Sequence, residues 1–221
     1  MNSVIFSKTY KEPPFCEKEI LRYADCKEAD SETLALVKSC IDEIQNKLTY
    51  KVCYCELPVN IHDNTCDFGA FRLQSKNLSL NLKDCEKVIF FAATIGTQID
   101  RLIAKYGHIS PSRALVFQAI GAERIEALCD AFCKDIWAEY NIAIKPRFSP
   151  GYGDLPILAQ KDIFSVLLPE KYIGLTLTDS MLMSPSKSVT AIVGLGGEEK
   201  QQSPNKCSAC SKKDCIFRGA L

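Results

Sequence analysis

The chain has 221 residues, and 47% of them are hydrophobic, which suits one medium domain, or a domain with an appendage, built on a sizeable core. Its 27 basic and 27 acidic side chains cancel, so no overall field draws nucleic acid or an anionic membrane. The longest apolar run, Val88 to Ile95 interrupted by Thr94, falls far short of the roughly 20 residues of a membrane-spanning helix. Met1 to Lys8 lacks the apolar stretch of a secretory signal, and the expected location is the cytoplasm.

A short pattern, Glu17 to Tyr23, precedes a stretch opening at Asp30-Ser31 that carries Leu34, Val37, Ile41, Ile44 and Leu48 at three-and-four spacing. This predicts an amphipathic helix capped by Asp30 or Ser31. Short β-like runs follow at Thr49 to Val59, where Tyr50, Val52 and Tyr54 alternate, and at Asp67 to Leu73 and Leu78 to Leu82, and predict antiparallel strands. Val88 to Ile95 is apolar on both faces and predicts a central strand. Gly96 then leads into a helix with Ile99, Leu102 and Ile103 inward, ended by Gly107. His108 fits that helix end, where a cation complements the dipole.

Ser110-Pro111 reads as an N-cap followed by proline at the first helical position, opening a long helix to about Tyr140. Gly121, Ile125, Leu128, Phe132 and Ile136 form its buried stripe, with the glycine permitting close packing. Glu123 and Glu126 on this helix read as a solvated face. Ile157 to Leu168 predicts a further helix, and Leu175 to Leu177 and Ser188 to Leu195 predict strands around a turn at Pro185.

Between the long helix and the last one lies Arg147-Phe148-Ser149-Pro150-Gly151-Tyr152-Gly153-Asp154. Proline fixes φ at Pro150 and glycine frees it at Gly151, so the backbone can turn its amides and carbonyls outward. Arg147 could clamp a carboxylate through two parallel hydrogen bonds, and the Tyr152 ring could face a sulfonium. Those are the two ends of S-adenosylmethionine. On spacing alone, an ordinary Pro-Gly turn with a surface arginine fits better. Asp154 could accept from a ligand amine or ribose, or cap a helix towards Leu155-Pro156.

Twelve cysteines unaccompanied by an export signal read as mostly reduced thiols. Cys53, Cys55, Cys129 and Cys133 fit buried positions on a strand and a helix. From Gly194 the composition shifts to a polar linker, and the tail Cys207-Ser208-Ala209-Cys210-Ser211-Lys212-Lys213-Asp214-Cys215 spaces three thiolates closely enough to meet on one zinc ion or iron–sulfur cluster. Zinc would need another Cys or His or an open site, whereas a cluster could leave one iron without a cysteine or recruit one from the body, with His62, His108, Cys16, Cys26 and Cys66 as possible donors. The other reading of Cys207, Cys210 and Cys215 is a tail of free, redox-active thiols. The division is 1–196 for the main domain and 197–221 for linker and tail.

Read together, Arg147-x-x-Pro150-Gly151-Tyr152, Ile173-Gly174-Leu175-Thr176-Leu177-Thr178-Asp179-Ser180 and Met183-Ser184-Pro185-Ser186-Lys187-Ser188-Val189 resemble the activation domain of vitamin B12-dependent methionine synthase, over about Lys87 to Val193. The resemblance implies an α+β fold, a largely antiparallel twisted sheet flanked by helices with a ligand groove along the sheet edge. It also implies an S-adenosylmethionine site built from Arg147, Ser149, Pro150, Gly151 and Tyr152, with no catalytic residue in this chain. The implied function is a free-standing subunit that supports reductive methylation of Co(II) cobalamin on a separate methionine synthase or related corrinoid protein, with an electron donor as further partner. No D-x-H-x-x-G cobalamin motif is present, so cobalamin would be carried by the partner. The alternative is an iron–sulfur or metal-binding redox adaptor for a corrinoid methyltransferase. Two departures stand out: Gly153-Asp154-Leu155-Pro156 replaces the family's P-x-C-P-x-H continuation, and the linker and cysteine tail replace a further hairpin.

Overall fold

The computed structural model describes residues 4–196. Strand β1 (Phe6–Tyr10) is followed by helices α1 (Glu17–Tyr23) and α2 (Ser31–Ile44), and Asp30 caps α2 by accepting the Thr33 N–H at 2.8 Å. Strand β2 (Tyr50–Pro58) leads into a small meander, β3 (Asn60–His62), β4 (Thr65–Asp67) and β5 (Arg72–Gln74). Helix α3 (Lys76–Asn81) and strand β6 (Lys87–Thr94) come next, then α4 (Gln98–Ile109) and the long α5 (Pro111–Tyr140). The last part holds α6 (Ala159–Leu167), α7 (Pro169–Ile173), the short pair β7 (Thr176–Leu177) and β8 (Met183–Ser184), and β9 (Ser188–Leu195).

The main sheet has the order β1-β2-β6-β9, antiparallel throughout. Its period of two sends alternate side chains to two separate cores, which is why β6 is apolar on both faces. Ile89, Phe91 and Ala93 join Val37, Ile41, Phe117, Leu128 and Phe132 under α2 and α5. Val88, Phe90 and Ala92 join Leu78, Ile163, Leu167 and Ile173 under α3, α6 and α7. Each fully buried Val, Ile or Phe contributes about 1.5–3 kcal/mol relative to exposure, so both faces of this strand hold the layers together. Cys53, Cys55, Cys129 and Cys133 are buried, in keeping with their expected packing role.

The structure departs from the sequence reading at several elements. Leu78 to Leu82 is not a strand but largely helix α3, started by Ser75, whose hydroxyl accepts the Leu78 N–H at 3.0 Å. Asp67 to Leu73 is divided, with β4 ending at Asp67 and β5 beginning at Arg72. Helix α4 runs through Gly107 to Ile109. The helix expected from Ile157 begins at Ala159. Glu123 is not on a solvated face: it is 5% exposed, beside a fully buried Arg124. Arg124 also donates to the Pro14 carbonyl at 2.7 Å and to that of Pro13, and its guanidinium lies 4.0 Å from the Phe15 ring centre, so this pair straps the N-terminal arm onto α5.

No described helix is long and apolar enough to cross a membrane.

Candidate functional site

The chain between α5 and α6 runs along the outer edge of β9. Gly196 donates to Ala143 at 2.9 Å, Lys145 donates to Gly194 at 2.9 Å, and Phe148 and Ile192 exchange both backbone bonds at 2.9 and 2.8 Å. Edge strands carry unpaired backbone groups that need a partner, and here the segment 143–148 supplies it. Phe148 is buried against the α6 side of the sheet, while Arg147, its neighbour, reaches α5.

Past Phe148 the chain leaves the sheet and folds on itself. Tyr152 donates to the Ser149 carbonyl at 3.0 Å, Leu155 donates to the Tyr152 carbonyl at 3.0 Å, and Gly151 donates to the Leu155 carbonyl at 2.9 Å. Gly151 at φ 85° and Gly153 at φ 58° take left-handed conformations that suit glycine. A side chain at Gly153 would also run into Asn77 of α3, with the Nδ2 atom 2.4 Å from the Cβ position. Pro150 is buried in the turn, Tyr152 is 71% exposed, and its ring sits edge-on to Phe148 with centroids 6.1 Å apart. Among the described residues, neither the Ser149 N–H nor the Gly151 carbonyl has a backbone partner.

Asp154 does not cap towards Leu155-Pro156. Its carboxylate accepts from the Ser75 hydroxyl, from Lys76 N–H at 2.8 Å and from Asn77 N–H at 3.2 Å, which is the start of α3. The Ser75 hydroxyl and these backbone donors hold its pKa below the usual carboxylate value. Asn81 at the other end of α3 donates to the Pro146 carbonyl at 3.2 Å. Helix α3 therefore anchors the segment on both sides of the Pro-Gly corner.

Arg147 is 15% exposed and already paired. One terminal nitrogen donates to Asp130 Oδ1 and the other to Glu126 Oε2, both at 2.6 Å. Burial works against its charge, but the neighbouring Cys129, Glu126 and Asp130 outweigh it and hold its pKa above the ordinary guanidinium value. The two carboxylates are more open, 45% and 62% exposed. Glu126 is thus a partner of Arg147, one turn of α5 before Asp130. The i, i+4 spacing of an acidic pair on the long helix was the available signal for these two residues.

The motif running from Ile173 to Ser180 lies elsewhere. Leu175, Thr178 and Asp179 line an open hollow of about 340 Å³ with Phe164 and Met181, and the Arg147 segment is not among its walls. The cysteines Cys207, Cys210 and Cys215 fall outside the described residues. Among the described residues, including His62, His108, Cys16, Cys26 and Cys66, no group of three or more His, Cys, Asp or Glu side chains could hold a metal ion.

The sequence profile described as vitamin B12 dependent methionine synthase, activation domain, matches residues 79–207. A solved structure described as the crystal structure of the MetH reactivation domain bound to AdoHcy is similar in fold. Its TM-score is 0.65 at 15% sequence identity, covering 90% of this chain and 80% of that one. The expected α+β fold with its largely antiparallel sheet agrees with that likeness. No curated protein matches the chain.

Proposed function

Because the chain belongs to the vitamin B12 dependent methionine synthase activation domain family, we propose that it binds S-adenosylmethionine in the angle between the Arg147–Tyr152 segment and α5, as a separate reactivation subunit. The observation that carries this reading is that one anchored turn carries a mostly covered guanidinium, two backbone groups without a backbone partner and an exposed aromatic ring. Arg147 would take the ligand carboxylate, the Ser149 N–H and the Gly151 carbonyl would take polar groups, and Tyr152 would lie against the apolar or sulfonium side. A cation near an aromatic face gains about 0.5–2 kcal/mol. That the similar solved domain carries AdoHcy, the same ligand without its methyl group, supports the ligand class.

The chain's own contribution would be positional. Fixing the sulfonium methyl group in one orientation turns a bimolecular encounter into a nearly unimolecular one. Cobalamin on a separate methionine synthase or related corrinoid protein would supply the cobalt that accepts the methyl group, after reduction from Co(II) by an electron donor.

Calorimetric titration of the full chain with S-adenosylmethionine tests the reading. Saturable binding should weaken by about ten- to a hundredfold in Arg147→Ala, the loss of hydrogen bonds to a charged group. Tyr152→Ala, at an exposed position that carries little of the fold, should also weaken it. Absence of binding to the wild-type chain, alone and with a cobalamin-loaded methionine synthase present, would reject the ligand.

A further inference from the structure

Arg147 enters the site with two carboxylates rather than one. Counting Arg147, Glu126 and Asp130 at neutral pH, the cluster carries a net charge of minus one, and both carboxylates are substantially open to solvent while the guanidinium is mostly covered. A ligand carboxylate approaching alone would raise the local charge to minus two. An amino acid zwitterion leaves it at minus one. A zwitterion that also carries a sulfonium neutralises it.

From this arithmetic, and resting on the ligand class proposed above, we infer that Glu126 and Asp130 are specificity-determining residues that favour the sulfonium S-adenosylmethionine over its neutral thioether product, S-adenosylhomocysteine. The two ligands share every carboxylate, ammonium, ribose and adenine contact and differ by one methyl group and one positive charge. In the sulfonium, that charge sits a short aliphatic chain from the carboxylate that Arg147 would hold, within reach of the acidic pair's field. The Tyr152 ring would favour the same charge to a comparable extent, but that contribution is nearly indifferent to salt and independent of the acidic pair. A unit charge against a net negative cluster at such separation and partial exposure corresponds to about tenfold in affinity. The consequence is functional: a subunit that must release spent thioether and take up fresh sulfonium has its product weakened by the change in charge.

The test is a pair of titrations, with S-adenosylmethionine and with S-adenosylhomocysteine, on the wild-type full chain and on Glu126→Gln, Asp130→Asn and the double variant. The wild-type chain should prefer the sulfonium by about tenfold at low ionic strength, and the preference should shrink as salt is added because the cluster is exposed enough to be screened. The double variant should lose the salt-dependent part of the preference and keep only a smaller, salt-insensitive part from Tyr152. An unchanged preference in the double variant would overturn the inference while leaving the ligand class intact. So would equal tightening of both ligands in the variants, which would make the acidic pair a mere competitor for Arg147. Binding of neither ligand by the wild-type chain would instead strike the ligand class itself. The salt series on the wild-type chain requires no substitution, so a misfolded variant cannot protect the idea.

Discussion

The Asp154 carboxylate accepts a hydrogen bond from the Ser75 hydroxyl, joining residues 79 apart in the chain and closing the Pro-Gly corner onto α3. Two further bonds from Lys76 and Asn77 N–H complete the anchor. This makes Asp154 a positioning residue for the turn rather than a ligand group. Replacing it by Asn keeps the shape but removes the charge and one acceptor. Asp154→Asn should leave the secondary structure intact, speed amide exchange at Lys76, Asn77 and Gly151, and weaken S-adenosylmethionine binding by several-fold. The anchor also has a pH signature. Asp154 has a folded-state pKa below its unfolded value, so its stabilisation is fully present above the unfolded value and is lost as pH falls through the folded one. Exchange protection of those amides should persist at pH 5 and decline below the usual carboxylate range. Unaltered exchange in the variant would remove the positioning role.

Gly121 and Lys187 form a second close relationship. A Cβ at Gly121 would lie 2.8 Å from the Lys187 Cε and 2.9 Å from its Cγ, so the lysine stem lies flat across the glycine. Burial lowers the Lys187 pKa, opposed by the Asp100 carboxylate nearby. Gly121→Ala should push the flexible stem outward. Helix propensity favours Ala by about 0.5–1 kcal/mol, and the lost stem packing offsets it. The expected result is a stability within about 1 kcal/mol of wild type, together with a rise of the Lys187 pKa towards that of a free lysine. Chemical-shift titration of the Lys187 side chain reads the second outcome directly; an unmoved pKa would show that the stem is not displaced.

How much of this was legible in the sequence depended on the range of the interactions. The central strand, the long helix and its Gly121 stripe follow from local period, and the structure agrees with them. Helix α3 was missed because Leu78, Leu80 and Leu82 alternate with Ser79 and Asn81 as a strand would. What makes that stretch helical is the cap from Ser75, local but outweighed by the alternation, and the carboxylate of Asp154, which no local window contains. The same limit hid the Arg147 pairs with Glu126 and Asp130, 21 and 17 residues away. The arginine and the corner were visible as candidates; the charge around them was not.

Thiol reactivity separates the cysteine positions by burial. Burial pushes the Cys53 and Cys55 thiols up to about 12, while Cys16 is exposed. Since the thiolate is the reactive form, an alkylating reagent at neutral pH should modify Cys16 first among the described cysteines. Cys53 and Cys55 should react only on unfolding. Peptide mapping by mass spectrometry along a denaturant series measures the order, and labelling of Cys53 in the native chain would contradict the buried strand.

The strap formed by Glu123 and Arg124 gives the largest expected stability effect. Arg124 has no solvent exposure and holds Glu123, the Pro13 and Pro14 carbonyls and the Phe15 ring at once. Removing it leaves Glu123 buried at 5% exposure with only the Cys16 N–H, at 3.3 Å, in place of a cation. Breaking a buried pair from one side costs about 3–5 kcal/mol, whereas replacing both members by apolar residues costs far less because no charge is stranded. Arg124→Ala should therefore unfold in urea at a much lower midpoint than wild type. The double variant Glu123→Leu, Arg124→Leu should recover a large part of the difference, with the N-terminal arm more open to protease in both, since its carbonyls lose their donor. Near-additive single and double effects would mean that the two side chains act separately and that the strap is held by Phe15 packing instead.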